Sequence, residues 1–250
     1  MSSGVPLAHV ETGSGSPLIL LHGWTAGARV WEALAHRLAP RRRVLIPDLP
    51  GHGATPMFGS GHRYNDECGE ALGAWAHDLG VDRAPVVAWA QGARVVVDAT
   101  AGGIIAPASM FLVAVPPPAD VPDPYSGPLW RDYPRYIRAI VRLMTAGPTS
   151  PEREAWLTDL MSSTSIAAAG GSHAQAWAPE LDLRLPPGTV AVLGGQDRIG
   201  DTAPSADLLG SWGAQVEVWP DVGHLPFIEQ PDRFHERVVS WLTDIERNQT

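Results

Sequence analysis

The sequence predicts an α/β fold, a doubly wound and mostly parallel sheet carrying a helical lid insertion. Three observations support that. Short, continuously apolar runs recur, as in Pro17-Leu18-Ile19-Leu20-Leu21, the pattern of strands covered on both faces. Apolar residues at helical spacing separate those runs. Polar or glycine-rich clusters then follow the runs, at the strand ends where ligands bind in such sheets. With 250 residues, the chain has enough material for one domain with a full core.

Residues 5–12 and 17–22 read as two strands joined by the flexible Gly13-Ser14-Gly15-Ser16. Val30, Trp31, Leu34 and Leu38 then share a helical face. Val44-Leu45-Ile46-Pro47 is another buried strand, ending in Asp48-Leu49-Pro50-Gly51-His52-Gly53. A second helical stripe holds Cys68, Leu72, Trp75 and Leu79, with Asn65 or Asp66 as the expected cap. Pro85 to Trp89 leads into an alanine- and valine-rich helix closed by Gly102-Gly103, and Ser109 to Val115 reads as the next strand. Residues 119–187 interrupt the alternation. Two helical patterns occur there (around 130–144 and 156–160), followed by a small, polar stretch about Gly170-Gly171. The alternation resumes with a strand at 189–193, a helix near 202–211, a strand at 215–219 and a last helix from Pro231. The expected organisation is therefore a core of residues 1–118 and 188–250, with 119–187 as a helical cap.

Composition excludes several function classes. The net charge of −9 leaves no basic face for a nucleic-acid backbone. All eighteen basic residues are arginine, which rules out a lysine Schiff base and a P-loop lysine. Cys68 is the single cysteine, so disulfides, CxxC redox pairs and thiolate zinc sites are out. No run of eighteen apolar residues and no signal-like N-terminus is visible, so a cytoplasmic location is expected.

The stretch most informative for function is Ala88-Trp89-Ala90-Gln91-Gly92. It has the form small-x-Ala-x-small between a strand and a helix, where only hydrogen or methyl fits at the flanks. The nucleophile elbow has this shape with the pattern G-x-S-x-G, its central side chain standing above the sheet. Here the elbow is present with alanine at its centre.

Five stretches together resemble the α/β-hydrolase fold over essentially the whole chain, of the small bacterial esterase, lactonase and haloperoxidase-like kind. They are Leu20-Leu21-His22-Gly23-Trp24, the 48–53 loop, the elbow at 88–92, Gly194-Gly195-Gln196-Asp197-Arg198, and the run from Gly223-His224 to Pro231. The resemblance implies a Ser-Asp-His order with Ala90 at the nucleophile position, Asp197 as the acid and His224 as the general base. Asp120 is the competing acid. The oxyanion hole falls to the backbone N–H groups of Trp24 and Gln91, each such donor contributing about 3–4 kcal/mol to transition-state stabilisation. Trp89, Trp130, Tyr133, Trp156 and Trp177, with Tyr136, are candidates to line an apolar pocket.

Alanine at 90 leaves three accounts open, because it cannot form an acyl-enzyme. It can be the disabled form of a Ser-Asp-His enzyme acting on an ester or lactone of a bulky apolar molecule. It can belong to a natural cyclase, lyase or cofactor-free oxygenase that uses His224-Asp197 as base without a nucleophile. Or the chain is a non-catalytic ligand-binding protein on a hydrolase scaffold. In each account the expected partner is a small molecule, with no cofactor, metal, nucleic acid or membrane, and the sequence sets no oligomeric state.

Overall fold

A computed structural model describes residues 6–58, 63–116, 132–173 and 183–248, with 171–173 described for their backbone alone. Trp130, Trp177 and Asp120 lie outside the described residues. Seven strands form one sheet in the order β1-β3-β2-β4-β5-β6-β7: His9–Thr12, Ser16–Leu21, Arg42–Pro47, Val86–Trp89, Met110–Val113, Val190–Gly194 and Gln215–Trp219 for β1 to β7. Every pairing is parallel except β1 with β3.

The continuous apolar strands are buried on both faces. Alternate residues serve opposite layers: Leu18, Leu20, Val87 and Trp89 enter one core, and Ile19, Leu21, Val86 and Ala88 enter the other. The first core is covered by α1 (Glu32–Leu38) and α9 (Pro231–Arg247), with Trp31, Phe234 and Trp241 at its centre. The second is covered by α2 (Tyr64–Asp78), α3 (Gln91–Ala101) and α7 (Thr202–Ser211). Between β5 and β6 the chain adds α4 (Tyr133–Val141), α5 (Pro151–Ser162) and α6 (Ile166–His173). After β7 comes the single turn α8 (Pro226–Glu229). Among the described residues no helix is long and apolar enough to cross a membrane.

β1 and β2 are consecutive in the chain but not in the sheet, where β3 lies between them. Gly13 makes that passage possible: with φ of +78°, it runs so close to the Arg42 and Ala39 carbonyls that a side chain there has no room. Helix α2 starts without a side-chain cap, and Asn65 turns to Gln91 instead. The small, polar stretch around Gly170 is helical, since Ala168 and Ala169 are fully buried and tertiary contact outweighs weak propensity.

The connections after β2 and β4 leave in opposite directions along the sheet, so the crevice between these adjacent strands is the topological switch point. Its walls are the loop after Leu21 and the turn after Trp89. Gly92 lets α3 start there, because a Cβ at this position would sit 2.3 Å from the His22 carbonyl oxygen. Gly92→Ala is expected to destabilise the fold by about 3 kcal/mol through this backbone clash. Gly210→Ala, in α7 with open space around it, is expected to stabilise it by about 0.5–1 kcal/mol. Paired urea melts check both; equal effects would contradict the packing described.

Candidate active site

The site starts from one backbone conformation. Ala90 ends β4 with φ 49° and ψ −114°, outside the regions an L-residue prefers. Its N–H donates to the Val113 carbonyl at 2.8 Å, and its carbonyl accepts from Arg94 N–H at 3.1 Å, so the turn is held from both sides. Gln91 is the first residue of α3, and helix geometry leaves its N–H without an intrahelical acceptor. The same terminus carries the positive end of the helix dipole.

His224 lies beside this elbow. The indole N–H of Trp89 donates to the His224 carbonyl at 3.1 Å, and the two rings are 5.5 Å apart, edge to face. The His224 N–H donates to the Met144 carbonyl at 2.7 Å. Asp197, past the end of β6, meets His224 Nδ1 with Oδ2 at 2.8 Å, and its Oδ1 accepts from Ile199 and Gly200 N–H at 2.8 and 3.1 Å. Burial pushes the Asp197 carboxyl up, but the adjacent imidazole and the two amides outweigh it and hold the acid below its ordinary range. An ionised carboxylate only accepts, so Nδ1 carries the proton and the lone pair of neutral His224 is on Nε2. That tautomer can take a proton.

A second layer of loops fixes the frame. His22 Nε2 accepts from Leu49 N–H at 3.0 Å, so its Nδ1 donates to the Gly23 carbonyl at 2.9 Å. Asp48 accepts from Ala28 N–H at 2.6 Å and from Ala54 N–H at 2.9 Å, tying the 24–28 turn to the 48–55 loop. His52 packs on His22 with ring centroids 4.8 Å apart and meets the Tyr64 hydroxyl. His22 thus orients backbone through both ring nitrogens, and His52 Nδ1 lies 3.1 Å from the Pro50 carbonyl oxygen.

The oxyanion-loop candidate Trp24 sends its indole N–H to the Ala169 carbonyl at 2.9 Å, anchoring the loop to α6. Next to it Thr25 is buried with φ 56°, an unusual conformation for a β-branched residue. Thr164 holds it there, its hydroxyl donating to the Thr25 carbonyl at 2.7 Å. Trp89 differs from expectation: at 1% exposure it offers a ligand no surface, and its ring supports His224 and Gly23 from beneath. Tyr133 is buried in the first core at 7% exposure, and Trp156 packs half-buried on its edge. A groove of about 660 Å³ lies on the outer side of α4 and α5, where Arg138, Arg142 and Glu154 line it, apart from Ala90.

Cys68 supplies no substitute nucleophile, because burial within α2 pushes its thiol up to about 12. Among the described residues no group of three or more His, Cys, Asp or Glu gathers to hold a metal ion. Asn65, Thr25, Arg198 and Glu229 contribute contacts that their sequence context did not signal.

This sheet, with a strained elbow at its switch point and a histidine–carboxylate pair beside it, defines an α/β-hydrolase-type protein. Residues 18–237 match the Alpha/beta hydrolase family, and the chain belongs to it. It is 27% identical over 252 residues to a pimeloyl-[acyl-carrier protein] methyl ester esterase of Pectobacterium atrosepticum, covering 92% of this chain and 96% of that one. Its fold is similar to that of an esterase from Exiguobacterium antarcticum (TM-score 0.82, 17% identity, 95% of each chain). It is also similar to that of Est816, described as an N-acyl homoserine lactone degrading enzyme (TM-score 0.81, 20% identity, 94% of this chain and 96% of that one).

Burial holds both His22 and His52 below the ordinary imidazole range; for His52 the neighbouring His22 adds to the effect. In the unfolded chain they titrate near pH 6.5. Below that pH the unfolded state binds more protons, so the stability contributed by neutral burial is complete above 6.5 and declines as pH falls. Urea melts from pH 7.5 to 5 are expected to show stability falling below pH 6.5, by at most about 1.4 kcal/mol per pH unit for each of the two histidines. His52→Gln is expected to flatten that slope, and a stability unchanged across the range would exclude neutral burial.

Proposed function

We propose that this chain is an esterase-type hydrolase for carboxylic esters or lactones of bulky apolar small molecules, with Ala90 at the position of a serine nucleophile. The observation that supports this most is the retained geometry around a side chain with no chemistry. Ala90 keeps a backbone conformation costing on the order of 1–3 kcal/mol, beside an intact His224–Asp197 pair with the lone pair on Nε2. A methyl group has no use for that arrangement. A serine hydroxyl does.

With serine at 90, the hydroxyl proton passes to His224 Nε2 as Oγ attacks the ester carbonyl. Asp197 holds the imidazolium that forms. The negative charge developing on the carbonyl oxygen is met by the N–H groups of Gln91, at the start of α3, and Trp24. His224 then protonates the leaving alkoxide, and water admitted by the same base hydrolyses the acyl-enzyme. The apolar side of the substrate is assigned to the inserted segment, including Tyr133 and Trp156, with Trp130 and Trp177 as further candidates. The activities of two similar proteins, a methyl ester esterase and a lactone-degrading enzyme, support a carboxylic ester or lactone as the substrate.

A second reading rests on the intact dyad alone: His224 acts as a general base on a bound substrate, without a covalent step, and the methyl at 90 makes room for it. One pair of variants separates the two. Ala90→Ser is expected to raise hydrolysis of activated esters and lactones by roughly three to six orders of magnitude over the alanine form. Mass spectrometry is expected to find a covalent fluorophosphonate adduct only in the serine form. Turnover by the alanine form that disappears with His224→Ala would favour the second reading. Ligand binding without turnover in either form would leave a binding protein.

A further inference from the structure

The main chain around His224 is held on two sides, by the sheet through Trp89 and by the segment inserted between β5 and β6. The His224 N–H donates to Met144, as above, and Gly223 presses so closely on residues 144–146 that a Cβ there would lie 2.7 Å from the Met144 carbonyl oxygen. Arg198, next to Asp197, donates through Nη2 to the Arg142 and Thr145 carbonyls at 2.8 and 2.9 Å. One side chain closes this set. Glu229, at the end of α8, accepts from Gly223 N–H through Oε1 at 2.8 Å and from Ala146 N–H through Oε2 at 2.7 Å.

We infer that Glu229 is a positioning residue: its two carboxylate oxygens clamp the residue before His224 to the turn after α4, and so fix the imidazole against Asp197. The residue type follows from the task. Both partners are donors, so the bridge needs two acceptors a fixed distance apart on one short stem. Glutamine keeps one oxygen and sets an N–H₂ group against the other amide. Aspartate keeps both oxygens and loses the reach of one methylene. Glu229 touches neither residue 90 nor the imidazole in the contacts described, so it acts through the backbone at 223 and 224.

The inference rests on His224 being the base of the proposed function, and its test does not need turnover. In the protein with Ala90, the Nδ1 proton of His224, shared with Asp197, is read by nuclear magnetic resonance as a slowly exchanging downfield signal, assigned by its loss in Asp197→Ala. Glu229→Gln is expected to keep the thermal midpoint within a few degrees and to speed solvent exchange of that proton by roughly tenfold or more. An unchanged signal in a folded Glu229→Gln would overturn the inference. Where Glu229→Gln does not fold, Glu229→Asp is read by the same criterion, and a parent-like signal there overturns it equally. In the Ala90→Ser background, Glu229→Gln is expected to lower kcat on the order of 10- to 100-fold with KM held. If Ala90→Ser hydrolyses nothing while Glu229→Gln loosens the proton, the hydrolase reading fails and the positioning role stands. The reverse result separates them the other way.

Discussion

Ala90 takes a backbone conformation that an L-residue avoids, and the surrounding chain is arranged so that nothing easier is available. β4 lies between β2 and β5 in the middle of the sheet, so its end must turn at once into α3. A gentler exit would drive the helix into the His22 carbonyl, against which Gly92 already sits. The hydrogen bond from Ala90 N–H to Val113 anchors the turn to the next strand. The result is a side chain raised above the sheet at the switch point, with a helix N-terminus directly behind it.

The loops that reach this point are held by side chains bonded to backbone groups of neighbouring turns. Asp48 spends both oxygens on backbone amides of two turns, and His22 spends both ring nitrogens on backbone groups. Burial favours the neutral form of His22, so that it orients the chain without adding a charge that would need solvation. The charge of Asp197 is matched by the imidazole and two amides.

The segment between β5 and β6 is part of that frame. Ala169 and Thr164 fix the Trp24–Thr25 turn, and Met144 and Ala146 fix the His224 loop, the latter through Glu229. The two halves of the candidate machinery are therefore braced from the same insertion. The turn after α4 thus bears on the His224 loop and α6 on the Trp24 loop.

Much of this was legible in the residues themselves. Continuous apolar runs marked β2 to β6 because burial on both faces removes any need for polar alternation, and the glycine flank at 92 marked the elbow because sterics there admit little else. Asp197 and His224 stood out as titratable residues just past strand ends. The capping of α2, the helix over 166–173 and the burial of Trp89 were not legible, since each depends on a neighbour distant in sequence: Gln91 for Asn65, Gly51 for Ala168, His224 for Trp89. The sequence by itself determined the layered α/β architecture and the order of its chemical groups, because periodicity and steric limits are local. Tertiary structure alone decided which backbone amides Glu229, Thr164 and Asp48 would hold, because a hydrogen bond is specified only when two distant segments are brought within 3 Å or so of each other.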